Sequence, residues 1–146
     1  METKELSIKN FDEIKFIFKE VFTKEPWLDD WSDDNQLNEY LLDIMGMRNP
    51  LIYGFYLNQK LIGISIGHIR HWYSGTEYYI EQFCILTDEQ KKGYGTTFIN
   101  QIQKLLLQKN IHVIYLNTER NKPAYNFYKK LGYIELSENT SFYNEF

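Results

Sequence analysis

At 146 residues the chain has room for one domain of ordinary size, spanning residues 1–146, and little room for a second. Hydrophobic residues make up 43% and charged residues 25%, a balance that supports a packed core and excludes the composition of a disordered chain. The net charge of −4 argues against a nucleic-acid partner, which calls for a basic field, and suits an acceptor that is itself cationic.

The first strand is expected over residues 4–8. Asn10 is placed to cap a helix whose apolar face is Phe11, Ile14, Phe18 and Val21. Pro26 interrupts that pattern, and a second helix is expected from Ser32 or Asp33, with Leu37, Tyr40, Leu41 and Ile44 inward and Asn49-Pro50 at its end. Residues 51–57 and 61–70 read as strands joined by a turn at Asn58-Gln59-Lys60. In the second of these, Ile62, Ile64 and Ile66 alternate with Gly63, Ser65 and Gly67. One face is greasy and the other is kept small, as if something must approach the backbone there.

A loop is expected from His71 to Gly75, then a central strand over residues 77–86. Phe98, Ile99, Ile102, Leu105 and Leu106 form one face of a helix, followed by a strand over 113–118. A last helix starts at Pro123, carries Ala124, Phe127, Tyr128 and Leu131 inward, and ends at Gly132. The tail after Tyr133 is expected to return as one or two strands. The fold class is therefore α/β of mixed α+β character, a meander of strands followed by β-α-β-α-β, with helices on both faces of the sheet.

The single cysteine, Cys84, excludes an internal disulfide, and the chain reads as cytoplasmic. Met1-Glu2-Thr3-Lys4-Glu5 lacks the apolar stretch of a secretion signal, and no apolar run approaches the roughly 20 residues that span a bilayer, so no membrane partner is expected. His68, His71 and His112 have no metal-ligand spacing with Cys84 or an acidic pair, and no metal is expected.

Gln90-Lys91-Lys92-Gly93-Tyr94-Gly95 follows a strand and opens a helix. Such a junction leaves backbone N–H groups unpaired at the positive end of a helix dipole, and glycines let a ligand come close. The site suits a diphosphate. It is not a P-loop, because the Gly-Lys-Ser/Thr ending is missing, nor a dinucleotide fingerprint, because the third glycine is missing.

This run resembles the acetyl-CoA pyrophosphate loop of the GNAT superfamily of N-acetyltransferases, whose pattern is Gln/Arg-x-x-Gly-x-Gly/Ala. About thirty residues later, Asn121-Lys122-Pro123-Ala124-Tyr125-Asn126-Phe127-Tyr128-Lys129-Lys130-Leu131-Gly132-Tyr133 resembles the second pattern of the same superfamily. The resemblance covers roughly residues 76–134 by motif and the N-terminal half by element order. It implies a mixed, mostly antiparallel sheet splayed between strands 4 and 5, with about four helices. It also implies acetyl-CoA as co-substrate. Gln90, Lys91 and the backbone of Lys92, Gly93, Tyr94, Gly95 and Thr96 would form the pyrophosphate site. The backbone of Phe83, Cys84 and Ile85 would meet the pantetheine arm, Asn121 would lie beside that arm, and Tyr128 would lie near the thioester sulfur.

The chemistry then needs a base, because an alkylamine near pKa 10.4 is mostly protonated at neutral pH. Glu81 is the favoured base and Glu77 its competitor; Tyr128 is the expected proton donor to the leaving thiol. The acceptor is expected to be a small molecule with a primary amine. Trp27, Asp30 and Trp31 lie in a segment where the superfamily places a cover over the acceptor, and Trp72, Tyr73 and Glu77 extend the aromatic and acidic surface. The Glu-Pro-Trp-x-x-x-Trp run is similar to aminoglycoside 6′-N-acetyltransferase-like members; a polyamine or a peptide amine is the alternative acceptor. The rival reading is a non-catalytic acyl-CoA-binding regulatory module, which would need the loop but neither Glu81 nor Tyr128. A homodimer through the C-terminal strands is expected from the apolar Phe142, Tyr143 and Phe146.

Overall fold

The fold was obtained as a computed structural model that describes residues 1–146. Strand β1 (Glu2–Leu6) leads through a 3-10 turn at Ile8–Asn10 into helix α1 (Phe11–Phe22), which buries Ile14, Ile17, Phe18, Val21 and Phe22. Asn10 does not cap α1 with its side chain. Its Oδ1 instead accepts from the Ser7 backbone N–H, completing a capping box for the 3-10 turn. Helix α2 (Asp34–Met45) is capped by Asp33, whose carboxylate accepts from the Gln36 N–H at 3.1 Å. It ends at Gly46 rather than at Asn49, the expected stop.

The meander continues as β2 (Pro50–Leu57), β3 (Lys60–Trp72) and β4 (Gly75–Ile85). Asn58 and Gln59 both have positive φ, +50° and +67°, which turns β2 into β3 in the sense that matches strand twist. The expected loop from His71 to Gly75 is mostly strand, because Trp72 pairs with Gly75 across a tight turn at Tyr73-Ser74. After a 3-10 turn at Thr87–Glu89 come α3 (Tyr94–Gln108), β5 (Val113–Leu116) and α4 (Pro123–Lys130), the last ended at Gly132 with φ +85°.

The sheet order is β1-β2-β3-β4-β5, antiparallel throughout except for the parallel β4–β5 pair. Adjacent residues of β4 show that helices cover both faces. The Gln82 amide reaches the Tyr40 hydroxyl on α2, while the Phe83 ring stacks on Phe98 of α3. Strand β4 is irregular in two places. Pairing with β5 runs only from Glu77 to Ile80, so the two strands part beyond Ile80. In the ladder with β3, Gly67 faces Ile80 and Ile66 faces Gln82, which leaves Glu81 as the extra residue of a β-bulge.

The small face of β3 is explained by the protein itself. Any Cβ at Gly67 would fall 2.3 Å from the Tyr79 carbonyl oxygen and 2.6 Å from the Tyr78 ring, and one at Gly63 would fall 2.6 Å from Ile85. Ser65 hydrogen-bonds the fully buried Tyr78 hydroxyl at 2.9 Å, and Tyr78 in turn donates to the Leu51 carbonyl. What approaches that backbone is a tyrosine and an isoleucine, not a ligand.

The tail differs from expectation: no strand forms after Tyr133. β5 is only four residues long and offers a short edge, and residues 137–141 are polar. Ile134, Phe142, Tyr143 and Phe146 are left strongly exposed.

Candidate active site

The loop between β4 and α3 is built by local rules. Lys91 and Gly93 both take positive φ, +62° and +82°, and nothing stands within 4 Å of a Cβ at Gly93. Glycine is there for its conformation. Gly93 occupies the cap position of α3 without a side-chain cap, and the first intrahelical bond visible at the turn runs from Thr97 N to Gly93 O at 3.1 Å. The N–H groups of Tyr94, Gly95 and Thr96 therefore face outward at the positive end of a 15-residue helix.

Gly95 serves packing instead: a Cβ would lie 3.2 Å from the Phe127 ring of α4. Gln90 turns inward and donates from Nε2 to the Ile85 carbonyl at 2.8 Å. Lys92 pairs with Glu89 at 3.1 Å, so its charge is partly answered within the loop. Lys91 is exposed and makes no ion pair.

Beyond Ile80 the β5-facing edge of β4 is open along Phe83, Cys84 and Ile85. Phe83 stacks against Phe98 and Phe127. Cys84 is buried, and burial pushes its thiol well above the usual range, which removes it as a nucleophile. Asn121 sits exposed in the turn before α4. Tyr128 is 9% exposed on the inner face of α4, and burial above all, then Tyr133 and Cys84, holds its hydroxyl above the usual range. That keeps it protonated as a donor. It lines a cavity of about 650 Å³ between β5, α4 and the C-terminal segment, which Arg120, Tyr125 and Glu135 also line. Glu81 and the 90–96 loop lie outside this cavity.

An open β4 edge, an uncapped helix start beside it and a backbone shaped by Gly93 fit a coenzyme carrying a diphosphate and an extended amide arm.

Glu81 and Glu77 have different surroundings. Glu77 is buried and bound by Arg70, whose Nε donates to Oε1 at 2.6 Å. The Arg70 guanidinium also lies over the rings of Trp72, Tyr79 and Tyr115, at 5.4, 4.9 and 4.9 Å. Glu81 is partly exposed at its bulge, and its Oε1 is 3.9 Å from His68 Nδ1. The sequence marks His68 as an ordinary sheet residue; the β3–β4 pairing sets it opposite Tyr79 and so beside Glu81, two residues further along β4.

The aromatic cover divides in two. Trp27 packs on Phe22 and is capped by Lys122, which lies 5.7 Å from its ring and donates to the Pro26 carbonyl at 2.9 Å. Trp31 stacks on Tyr40 at 5.2 Å and meets Phe18 edge-on. Asp30 accepts from the Ser32 N–H at 3.0 Å, and the Ser32 hydroxyl and then this N–H lower its pKa. Its neighbour Asp29 behaves oppositely, raised by loss of water and by Glu119. Trp72 and Tyr73 project from the β3–β4 turn, Tyr73 almost fully into solvent. No group of three or more His, Cys, Asp or Glu side chains is placed to hold a metal, and no helix is long and apolar enough to cross a membrane.

The family model described as the acetyltransferase (GNAT) family matches residues 11–133. No curated protein gives a significant match. Among solved structures, an aminoglycoside acetyltransferase from an uncultured soil metagenomic sample, in complex with sisomicin, superimposes with a TM-score of 0.74 at 16% identity. That likeness covers 99% of this chain and 95% of the other. AAC(6′)-Iy in complex with the bisubstrate analogue CoA-S-monomethyl-acetylneamine gives 0.72 at 18% identity, covering 99% and 97%. A predicted acetyltransferase with acetyl-CoA from Clostridium acetobutylicum gives 0.73 at 17% identity, covering 97% and 95%.

Proposed function

The chain belongs to the acetyltransferase (GNAT) family, and on that premise we propose that residues 1–146 form one catalytic unit that moves an acetyl group from acetyl-CoA to the primary amine of a small cationic acceptor. One observation carries the reading. β4 parts from β5 just after Ile80, and the bulge at that point presents Glu81 at the mouth of the opening. The coenzyme supplies an activated acetyl thioester.

The chain supplies the rest. The α3 N-terminus and the Lys91–Thr96 backbone hold the diphosphate. The open edge at Phe83–Ile85 pairs with the amide arm as an added strand would, with Asn121 beside it. A backbone N–H on that edge is available to the acetyl carbonyl oxygen. Glu81 takes the proton from the acceptor ammonium, directly or through water, and the Tyr128 hydroxyl donates to the departing sulfur. Holding amine and thioester together contributes as much as either proton transfer. Glu77 is the weaker choice as base, because Arg70 already occupies its carboxylate.

The Trp27–Trp31 cover, with Asp29 and Asp30, offers ring faces and carboxylates to a cation, as Trp72 and Tyr73 do at the hairpin tip. The sisomicin complex of the metagenomic protein supports an aminoglycoside-like acceptor over a polyamine or peptide. The lone buried Cys84 supports a cytoplasmic enzyme, and the exposed Phe142, Tyr143 and Phe146 support a homodimer.

The test is release of free CoA thiol from acetyl-CoA with aminoglycosides, polyamines and short peptides, using wild type and Glu81→Gln. Aminoglycoside-dependent release, lost in the variant, is the expected result. Acetyl-CoA binding without release on any amine would overturn the assigned acceptor class. Failure to bind acetyl-CoA would overturn the assignment of the loop.

A further inference from the structure

We propose that His68 is a positioning and proton-relay residue that acts through Glu81; the inference rests on the reading of Glu81 as the base. His68 lies on β3 directly opposite Tyr79, its side chain is only 12% exposed, and its Nδ1 is buried without a hydrogen-bond partner. A buried ring nitrogen without a partner is uncommon and asks for an explanation. The neighbouring Tyr79 ring is 5.3 Å away, but its hydroxyl accepts from the Asn117 amide at 2.9 Å and makes no bond to the imidazole. The nearest group of opposite character is Glu81 Oε1, at 3.9 Å. About 1 Å of carboxylate movement closes that gap to a hydrogen bond. The bulge gives Glu81 both neighbourhoods, with Oε1 toward His68 and the other oxygen left for an incoming amine.

The relay conserves protons and charge. With His68 neutral and protonated on Nε2, an N–H bond of the acceptor ammonium breaks as its proton moves to the Glu81 carboxylate. The Glu81 carboxyl then loses a proton to His68 Nδ1. The result is a neutral amine, a carboxylate and an imidazolium, with the total charge unchanged. The imidazolium returns its proton to solvent before the next turnover.

In model compounds a carboxyl near 4.3 takes a proton from an amine near 10.4 against about a 10⁶-fold disadvantage; an imidazole near 6.5 does so against about 10⁴-fold. The relay therefore recovers up to about 100-fold. The other groups around the pair are Tyr79 on β4 and Tyr40 on α2, with Arg70 beyond the first and Asp29 beyond the second. Burial raises both tyrosines, so neither exchanges its proton between pH 5 and 9.

The experiment uses the full chain with His68→Asn, which keeps a hydrogen-bonding group near the Nδ1 position but accepts no proton, beside Glu81→Gln. Expected is a fall of about 10- to 100-fold in kcat/KM for the acceptor, loss of the rising acidic limb of its pH profile, and unchanged acetyl-CoA affinity. Imidazole NMR of the three histidines adds a readout that needs no turnover. The His68 Nδ1 resonance should move in Glu81→Gln while those of His71 and His112 stay in place, because only His68 has Glu81 beside its ring. An unmoved His68 resonance, or a His68→Asn enzyme with the wild-type pH profile, overturns the relay alone. A fully active Glu81→Gln overturns the assigned base and the relay with it.

Discussion

The Gln90 side-chain amide donates to the Ile85 carbonyl oxygen at 2.8 Å, tying the first residue of the diphosphate loop to the last residue of β4. The loop is therefore set by the strand that carries Glu81. Gln90→Ala should raise the KM for acetyl-CoA about fivefold, the worth of one hydrogen bond near 1 kcal/mol, with little change in kcat. Calorimetric titration with CoA checks it; unchanged affinity would show that the loop holds its shape without this bond.

Tyr128→Phe should lower kcat about tenfold and leave the KM for acetyl-CoA near the wild-type value. Because burial raises its hydroxyl above the ordinary value near 10, the wild-type kcat should show no fall from Tyr128 ionisation up to about pH 10. A pH series of kcat for both proteins tests this, and a wild-type decline centred near pH 8 that vanishes in the variant would refute it.

Gly67→Ala should be among the most damaging single-methyl additions in the chain. The new Cβ meets a backbone oxygen at 2.3 Å, and the Tyr78 ring behind it is fully buried, so neither neighbour has room to yield. Urea denaturation should report a loss of about 3 kcal/mol, whereas a loss under about 1 kcal/mol would mean the strands slide apart with ease.

Stability should fall at alkaline pH. Burial holds the Tyr53, Tyr78 and Tyr128 hydroxyls above the ordinary tyrosine range. Below about pH 10 both folded and unfolded chains keep these protons, and no difference arises. Above it the unfolded chain releases protons that the folded chain retains, so each such group costs about 1.4 kcal/mol per pH unit. Urea midpoints measured from pH 8 to 11 should drop beyond pH 10, and Tyr128→Phe should soften the drop.

The two motifs, the helix faces and the order of elements were legible because each depends on local chemistry. Gly93 and Gly132 announce positive φ, and the Ile62-Ile64-Ile66 alternation announces a strand. The identity of whatever fills the small face of β3 was not legible, since Tyr78 meets Gly67 only through a pairing made eleven residues along the chain. Arg70 faces Glu77 because the two-residue turn at Tyr73-Ser74 sets that register, which an expected loop from His71 to Gly75 concealed, and Lys122 reaches Pro26 by a tertiary contact with no spacing rule. The strands expected after Tyr133 were read from apolar residues alone, and a four-residue β5 gives them little to pair with.

The extra residue at Glu81 has a consequence for parity. Up to that point the odd-numbered residues of β4, Glu77, Tyr79 and Glu81, look toward Arg70 and His68. Past it the even-numbered Gln82 looks toward α2, and odd-numbered Phe83 turns to α3. One strand thus writes two messages in opposite phase, reactive groups before the slip and core rings after it. Simple alternation of the same residues without the bulge would send Phe83 to the face of Glu81, away from Phe98, whereas deleting Glu81 itself would leave Phe83 where it is. The chemistry of one half of β4 and the packing of the other are joined through a miscount of one.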